Sequence, residues 1–168
     1  GNADSTITVL NEDSLRQVQM KEAFGIFSDF TTGENEKINL KNDLVSLSFS
    51  SKGGALTEAT LNKYKTHDSL PLTLFDEKDN EYGFIFKTGG RIVNTTDLFF
   101  KPIAGKDGKS VTMRLDFGNG KFFDLVYTLP EDSYMVKMDI RQKGMETILP
   151  GNTASLDLFW NQNLRSQE

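Results

Sequence analysis

The sequence predicts an all-β fold of the antiparallel sandwich type. Three observations lead there. Short apolar–polar alternations recur along the chain from Lys37 onward. Glycine- and asparagine-rich turn signals punctuate them, as at Lys52-Gly53-Gly54 and Gly118-Asn119-Gly120. No stretch sustains the 3.6-residue apolar period of a packed helix.

The opening hairpin organises the first half. Val45, Leu47 and Phe49 alternate with Ser46, Ser48 and Ser50, as a half-buried strand requires. The paired glycines Gly53-Gly54 supply the positive φ angles of a tight turn. Ala55, Thr57, Ala59 and Leu61 then share one side of a returning strand, less cleanly patterned and so of open register. Asn42-Asp43 marks a turn before the hairpin. Asn62 to Leu70 reads as a polar loop ending at Pro71. Leu72, Leu74 and Phe75 suggest a short strand, and Asp76 to Glu81 a charged turn. Phe84 and Phe86 alternate until Gly89-Gly90. Ile92-Val93 and Leu98 to Phe100 are too short to assign.

The second half is patterned more sharply. Val111, Met113, Leu115 and Phe117 form one face of a strand, and Phe123, Leu125, Tyr127 and Leu129 one face of its partner. After Pro130-Glu131-Asp132-Ser133, Tyr134, Val136, Met138 and Ile140 give a third. These three make an antiparallel meander. Gly144 to Asn152 reads as a loop, and Ala154, Leu156, Leu158 and Trp160 as a last strand with Trp160 in the core. A large sandwich cut at that point leaves an exposed edge.

Residues 1–36 differ. Asp13, Arg16, Gln17, Gln19, Lys21 and Glu22 make this segment polar, with room for a short helix that Ser14 would cap. Phe24, Ile26, Phe27 and Phe30 offer an aromatic end that docks on the main body. The segment is expected to be a linker, with the folded domain running over residues 37–168.

Composition narrows the function. The 168 residues suffice for one domain with a sizeable core, and 13 phenylalanines should fill much of it. A net charge of −5, with no basic run, argues against nucleic acid. The absence of cysteine removes disulfides, thiolate metal sites and Cys nucleophiles. No apolar run approaches the roughly 20 residues of a membrane span. The chain opens on Gly1 and not Met, which leaves a removed targeting segment open.

Reactive constellations are sparse. His67 is the single histidine, in the polar stretch Lys65-Thr66-His67-Asp68. A catalytic or metal role would need partners from elsewhere. Asp76, Glu77, Asp79 and Glu81 cluster, but without the glycine and ligand spacing of a calcium loop. Asp107-Gly108 and Gly118-Asn119-Gly120 fit hairpin turns better than phosphate cradles, since no helix follows. Phe99-Phe100 and Phe122-Phe123 each send one ring to each sheet face, so both faces should be covered. No catalytic, cofactor-binding or metal residue is assigned.

Several separated motifs also carry a resemblance. They are Glu36-Lys37-Ile38 to Asn42-Asp43-Leu44, Phe49 to Ala55, Leu61 to Lys65, Pro71 to Phe75, and the closing Trp160 to Glu168. In this order they resemble the periplasmic domain of the bacterial membrane protein insertase YidC, in its N-terminal part, over about residues 36 to 168. The resemblance implies an antiparallel β-supersandwich related to galactose mutarotase, incomplete here. It implies a linker after an N-terminal membrane helix, and a downstream half-domain and a helical membrane core beyond this sequence. It implies an accessory region at the periplasmic face of the inner membrane, without cofactor. Its partners would be Sec translocon components and, through the full-length protein, nascent membrane proteins. The family's insertion activity lies in the membrane core, so no functional residue carries over. The alternatives are a carbohydrate-binding module using a mutarotase-like cleft, with Trp160 or Tyr134 facing it, and a spacer that only positions the membrane core.

Overall fold

The computed structural model describes residues 2–65, 71–76, 80–149 and 155–162. Helix α1 covers Asn2–Phe24 and is followed by a 3-10 segment, Gly25–Phe30. Among the described residues eleven strands follow: β1 Lys37–Lys41, β2 Val45–Ser50, β3 Ala55–Lys65, β4 Pro71–Asp76, β5 Asn80–Thr88, β6 Arg91–Asn94, β7 Lys101–Ala104, β8 Ser110–Gly118, β9 Lys121–Thr128, β10 Lys137–Lys143 and β11 Ser155–Gln162. A single helical turn, α2 Met145–Ile148, precedes β11.

The strands form three antiparallel sheets, ordered β1-β2-β3-β4, β10-β9-β8-β7 and β11-β5-β6. None closes into a barrel. The expected all-β sandwich and its β8-β9-β10 meander are what is observed, with β7 added at one edge. The core lies between the layers. Leu47 and Phe49 of β2, Phe84 and Phe86 of β5, and Met113, Leu115, Phe123 and Leu125 of β8 and β9 are all at most 3% exposed. Ring contacts join the layers: Phe49 meets Tyr127 at 4.5 Å, and Phe86 meets Phe123 at 5.0 Å. Each such ring, fully buried, stabilises the fold by about 1.5 to 3 kcal/mol.

The aromatic end of the leading segment does dock. Phe27 lies on Phe86 at 4.7 Å and edge-on to Phe117 at 5.6 Å, and Phe30 meets Phe117 at 5.1 Å. Backbone bonds extend the seam: Phe99 N–H donates to Phe30 C=O and Ser51 N–H to Glu36 C=O. The helix before it is longer than expected. Ser14 is interior to α1 and does not cap it. Glu, Gln, Lys, Met and Leu are good helix formers, and they sustain α1 without an apolar stripe. Its residues 11–19 are exposed on every side.

Other boundaries shift in the same informative way. β3 continues to Lys65, through residues expected to be loop, because β4 pairs with it as far as Lys65 opposite Pro71. Asn80 and Glu81 open β5 where a turn was expected. Gly144 to Asn152 contains α2, whose Met145 is 3% exposed and pins the connection to the core. Tyr134 and Met135 precede β10 and stay exposed. In β11, Leu156 and Leu158 face the expected way, opposite Phe86 and Phe84, yet remain 36% and 59% exposed. β11 is an edge of its sheet, so the core covers its neighbours more than itself.

The tight turn of the opening hairpin has a steric test. Gly54 has φ +60°, and a Cβ there would stand 2.9 Å from the Phe100 ring. Gly108 has φ +72° but nothing within 4 Å. Gly108→Ala is therefore expected to cost about 1 to 2 kcal/mol from backbone strain alone. Gly54→Ala should cost about 2 to 5 kcal/mol, strain plus overpacking. Urea denaturation of the two variants checks the order; equal losses would show that Phe100 gives way freely.

Candidate functional site

β3 is longer than its neighbour. β4 stops at Asp76, opposite Glu58, while β3 begins at Ala55. The residues Ala55 to Thr57 therefore run on past the last β4 pair, and a cleft of about 430 Å³ opens beside them. Asn35, Lys52, Thr57, Glu81 and Thr96 supply its polar groups, and Tyr82 lies against its floor. The Asn35 side-chain oxygen accepts from the Ser50 hydroxyl and from Lys52 N–H, the latter at 3.2 Å, which ties the lead-in segment to the hairpin turn.

Beneath the cleft runs a buried chain of hydrogen bonds. Leu56 N–H donates to the Tyr82 hydroxyl at 2.8 Å, the two tyrosine hydroxyls lie 2.7 Å apart, and Tyr127 donates to Gly54 C=O at 2.7 Å. A phenol has one proton. With Tyr127 donating to Gly54, Tyr82 is the donor between the two rings. Burial raises both phenol pKa values above the usual 10.0, that of Tyr127 well above, where the neighbouring Tyr82 adds to the effect. Both rings therefore stay neutral at physiological pH. They serve as hydrogen-bonding struts.

A second hollow of about 430 Å³ sits among three turns. Asp43, Asp107, Glu131 and Asp132 line it together with Lys41 and Lys109. Lys109 pairs with Glu131 at 3.2 Å, and Asn42 donates to Pro130 C=O and Ser133 C=O, tying the turns together. Among the described residues, no three His, Asp or Glu side chains gather as a metal ion would need.

The residues weighed from sequence are scattered. Glu81 lines the cleft, and Asp76 ends β4. Glu77, Asp79 and His67 lie outside the described residues. Trp160 pairs in register with Tyr82, but its side chain also lies outside them. Tyr134 is 46% exposed and does not line the cleft. Phe99 and Phe122 are partly covered by cations: Lys52 lies 5.9 Å from the Phe99 ring and Arg114 4.3 Å from the Phe122 ring. Sequence reasoning missed the tyrosine pair. The available signal was a tyrosine in place of an apolar residue at a core-facing position, since a buried phenol needs a partner.

Residues 37–164 match the family profile described as YidC periplasmic domain. The chain belongs to that family. The chain is 43% identical over 157 residues to a membrane protein insertase YidC of Parabacteroides distasonis, and 37% identical over 157 residues to one of Porphyromonas gingivalis. A Cytophaga hutchinsonii protein of the same name is 28% identical over 158 residues. Each alignment covers 93% of this chain and 25% of the relative, so the chain spans about a quarter of the curated relatives it matches. No solved structure matches it. As a YidC periplasmic domain it belongs to the periplasmic side of a membrane protein. Among its described residues no helix is long and apolar enough to cross a membrane.

The tyrosine pair makes a pH prediction. Its folded pKa values are raised, so the unfolded chain ionises first as pH climbs past about 10. The stability held by the neutral pair is complete below that pH and lost as pH rises through the folded values. Melting temperatures followed from about pH 8 to about pH 11 should fall on the alkaline side. Tyr127→Phe should lower the stability at neutral pH by about 1 to 3 kcal/mol and flatten that alkaline fall. An unchanged alkaline slope in the variant would remove Tyr127 as its source.

Proposed function

We propose that this domain assists the insertion and folding of inner-membrane proteins by contact with other proteins, with no reaction of its own. The single observation that carries the reading is the family match over residues 37–164 with relatives named membrane protein insertase. The partners of the proposal are Sec translocon components and, through the full-length protein, nascent membrane proteins. Its place is the periplasmic face of the bacterial inner membrane. In the same reading residues 1–36 are the linker and residues 37–168 the N-terminal part of the sandwich domain. The chemistry of the cleft supports a binding role over a catalytic one. Its polar groups are an amide, a lysine, a glutamate and hydroxyls, and Thr57 and Asn35 already bond within the fold.

A sugar-binding role for the same cleft has one observation in its favour, a polar-lined hollow of about 430 Å³, within the range of small-molecule sites. Sugar sites also need a flat ring to stack on. Tyr82 is the aromatic residue lining this cleft, and it is 7% exposed with its hydroxyl engaged. The contact reading is therefore preferred.

Pull-down of the membrane-tethered domain should enrich translocon subunits above an unrelated tethered β-sandwich. Equal recovery from the two baits counts against the proposal. Saturable heat on titration with a panel of sugars would favour the sugar reading instead.

A further inference from the structure

The outer face of the β10-β9-β8-β7 sheet differs in charge from the chain as a whole. The register places Lys101, Arg114, Asp124 and Arg141 side by side, one from each strand. The next row brings Asp116, Phe122 and Lys143 together, and Lys137 and Asp139 lie further along β10. These residues alternate with the buried Met113, Leu115, Phe123 and Leu125, so they lie on the side away from the core.

Every carboxylate of this face is already engaged. Asp124 is 3% exposed and held by two 2.8 Å bonds from the Arg114 guanidinium, which itself stacks on Phe122. Asp116 accepts from Gly118 N–H at 2.8 Å, and Asp139 lies 3.8 Å from Lys137. The cations are not all so paired. Lys101, Arg141 and Lys143 are exposed, and among the described residues no carboxylate lies within ion-pair distance of them. They stand on the two edge strands of the sheet, about 14 Å apart across three strand spacings.

We propose that this face docks on the anionic phosphate headgroups of a phospholipid bilayer, through Lys101, Arg141 and Lys143 with the Phe122-backed Arg114 between them. The inference rests on the insertase reading only for the presence of a bilayer nearby. A four-stranded sheet presents a broad face, which suits a planar surface. The net charge of −5 does not oppose contact at short range. The Debye length is about 8 Å at physiological salt and the sheet behind lies about 10 Å away, so carboxylates beyond it are screened. On the outer face of the β1-β2-β3-β4 sheet the Ser48 hydroxyl donates to Asn39 and the Ser46 hydroxyl to Asn62, and Lys37, Lys41 and Glu58 share that face with them.

The test is co-sedimentation of the 168-residue chain with vesicles, either of phosphatidylglycerol and phosphatidylcholine in equal parts or of phosphatidylcholine alone. Binding should be confined to the anionic vesicles and weaken with salt. Lys101→Glu, Arg141→Glu and Lys143→Glu together should reduce it more than about a hundredfold. An equal reversal elsewhere (Lys37→Glu, Lys41→Glu and Lys106→Glu) should change it much less. Should the first variant unfold, glutamine at the same three positions should still lose about a hundredfold. The proposal is overturned by no binding to anionic vesicles at low salt, by equal loss in the two reversals, or by capture of acidic proteins without capture of vesicles. Its failure is separable from that of the insertase reading. Vesicle binding with no effect of domain deletion on membrane protein insertion in cells sinks only the latter, and the reverse pattern sinks only the former.

Discussion

Two phenol hydroxyls hold three sheets in register. Tyr82 belongs to β5, Tyr127 to β9, and the backbone groups they bind, to Leu56 of β3 and to Gly54 in the turn just before it. One strand from each sheet thus meets at a single buried point. Phenylalanine at both positions would fill the same space, but Leu56 N–H and Gly54 C=O would lose those partners, at about 1 to 3 kcal/mol each. The phenols also set direction. A hydrophobic layer tolerates sliding by small amounts, whereas bonds of 2.7 to 2.8 Å fix the height of one sheet on the next.

Much of the hairpin follows from that point. The chain must reverse at Lys52 to Gly54 within reach of Tyr127, and Phe100 packs where a side chain on Gly54 would sit. Gly53 N–H donates to Leu98 C=O and Phe100 N–H to Ser51 C=O, so the turn is bound to the segment before β7. The cleft beside β3 is a by-product of the same arrangement. Leu56 N–H has turned to Tyr82 at a level that the last β4 pair, Asp76 with Glu58, does not reach.

The legible parts of the fold were those where burial is one-sided. Val111 to Phe117 and Val45 to Phe49 alternate strictly because one face meets the core and the other does not. β9 looked equally clear, although its burial is two-sided. Asp124 and Val126 are 3% and 7% exposed on the outer face, the former beneath Arg114. β3 was harder, since its register with β2 shifts between Ser48 and Phe49, and period-two counting fails across such a bulge. The length of α1 came from residue propensity without amphipathic pattern, a signal that periodicity does not detect. Which partner each buried tyrosine would take was illegible for another reason. Tyr82 and Tyr127 lie 45 residues apart, and only tertiary structure brings them together.

The edge strand β11 shows how far local packing can specify a partner. Its pairing with β5 runs over eight residues, from Ser155 opposite Lys87 to Gln162 opposite Asn80. The Lys87–Asp157 ion pair contributes little to that choice, because both side chains are about half exposed at 52% and 50%. Shape decides more. Phe159 lies over Gly83, where a Cβ would come within 2.8 Å of its ring. A glycine hole receives a phenylalanine ring, so a one-residue slip would set that ring against Tyr82 or Phe84 and turn Leu156 and Leu158 to the opposite face. Register at this edge is thus fixed by a missing side chain, and the exposed leucines are consequences of it.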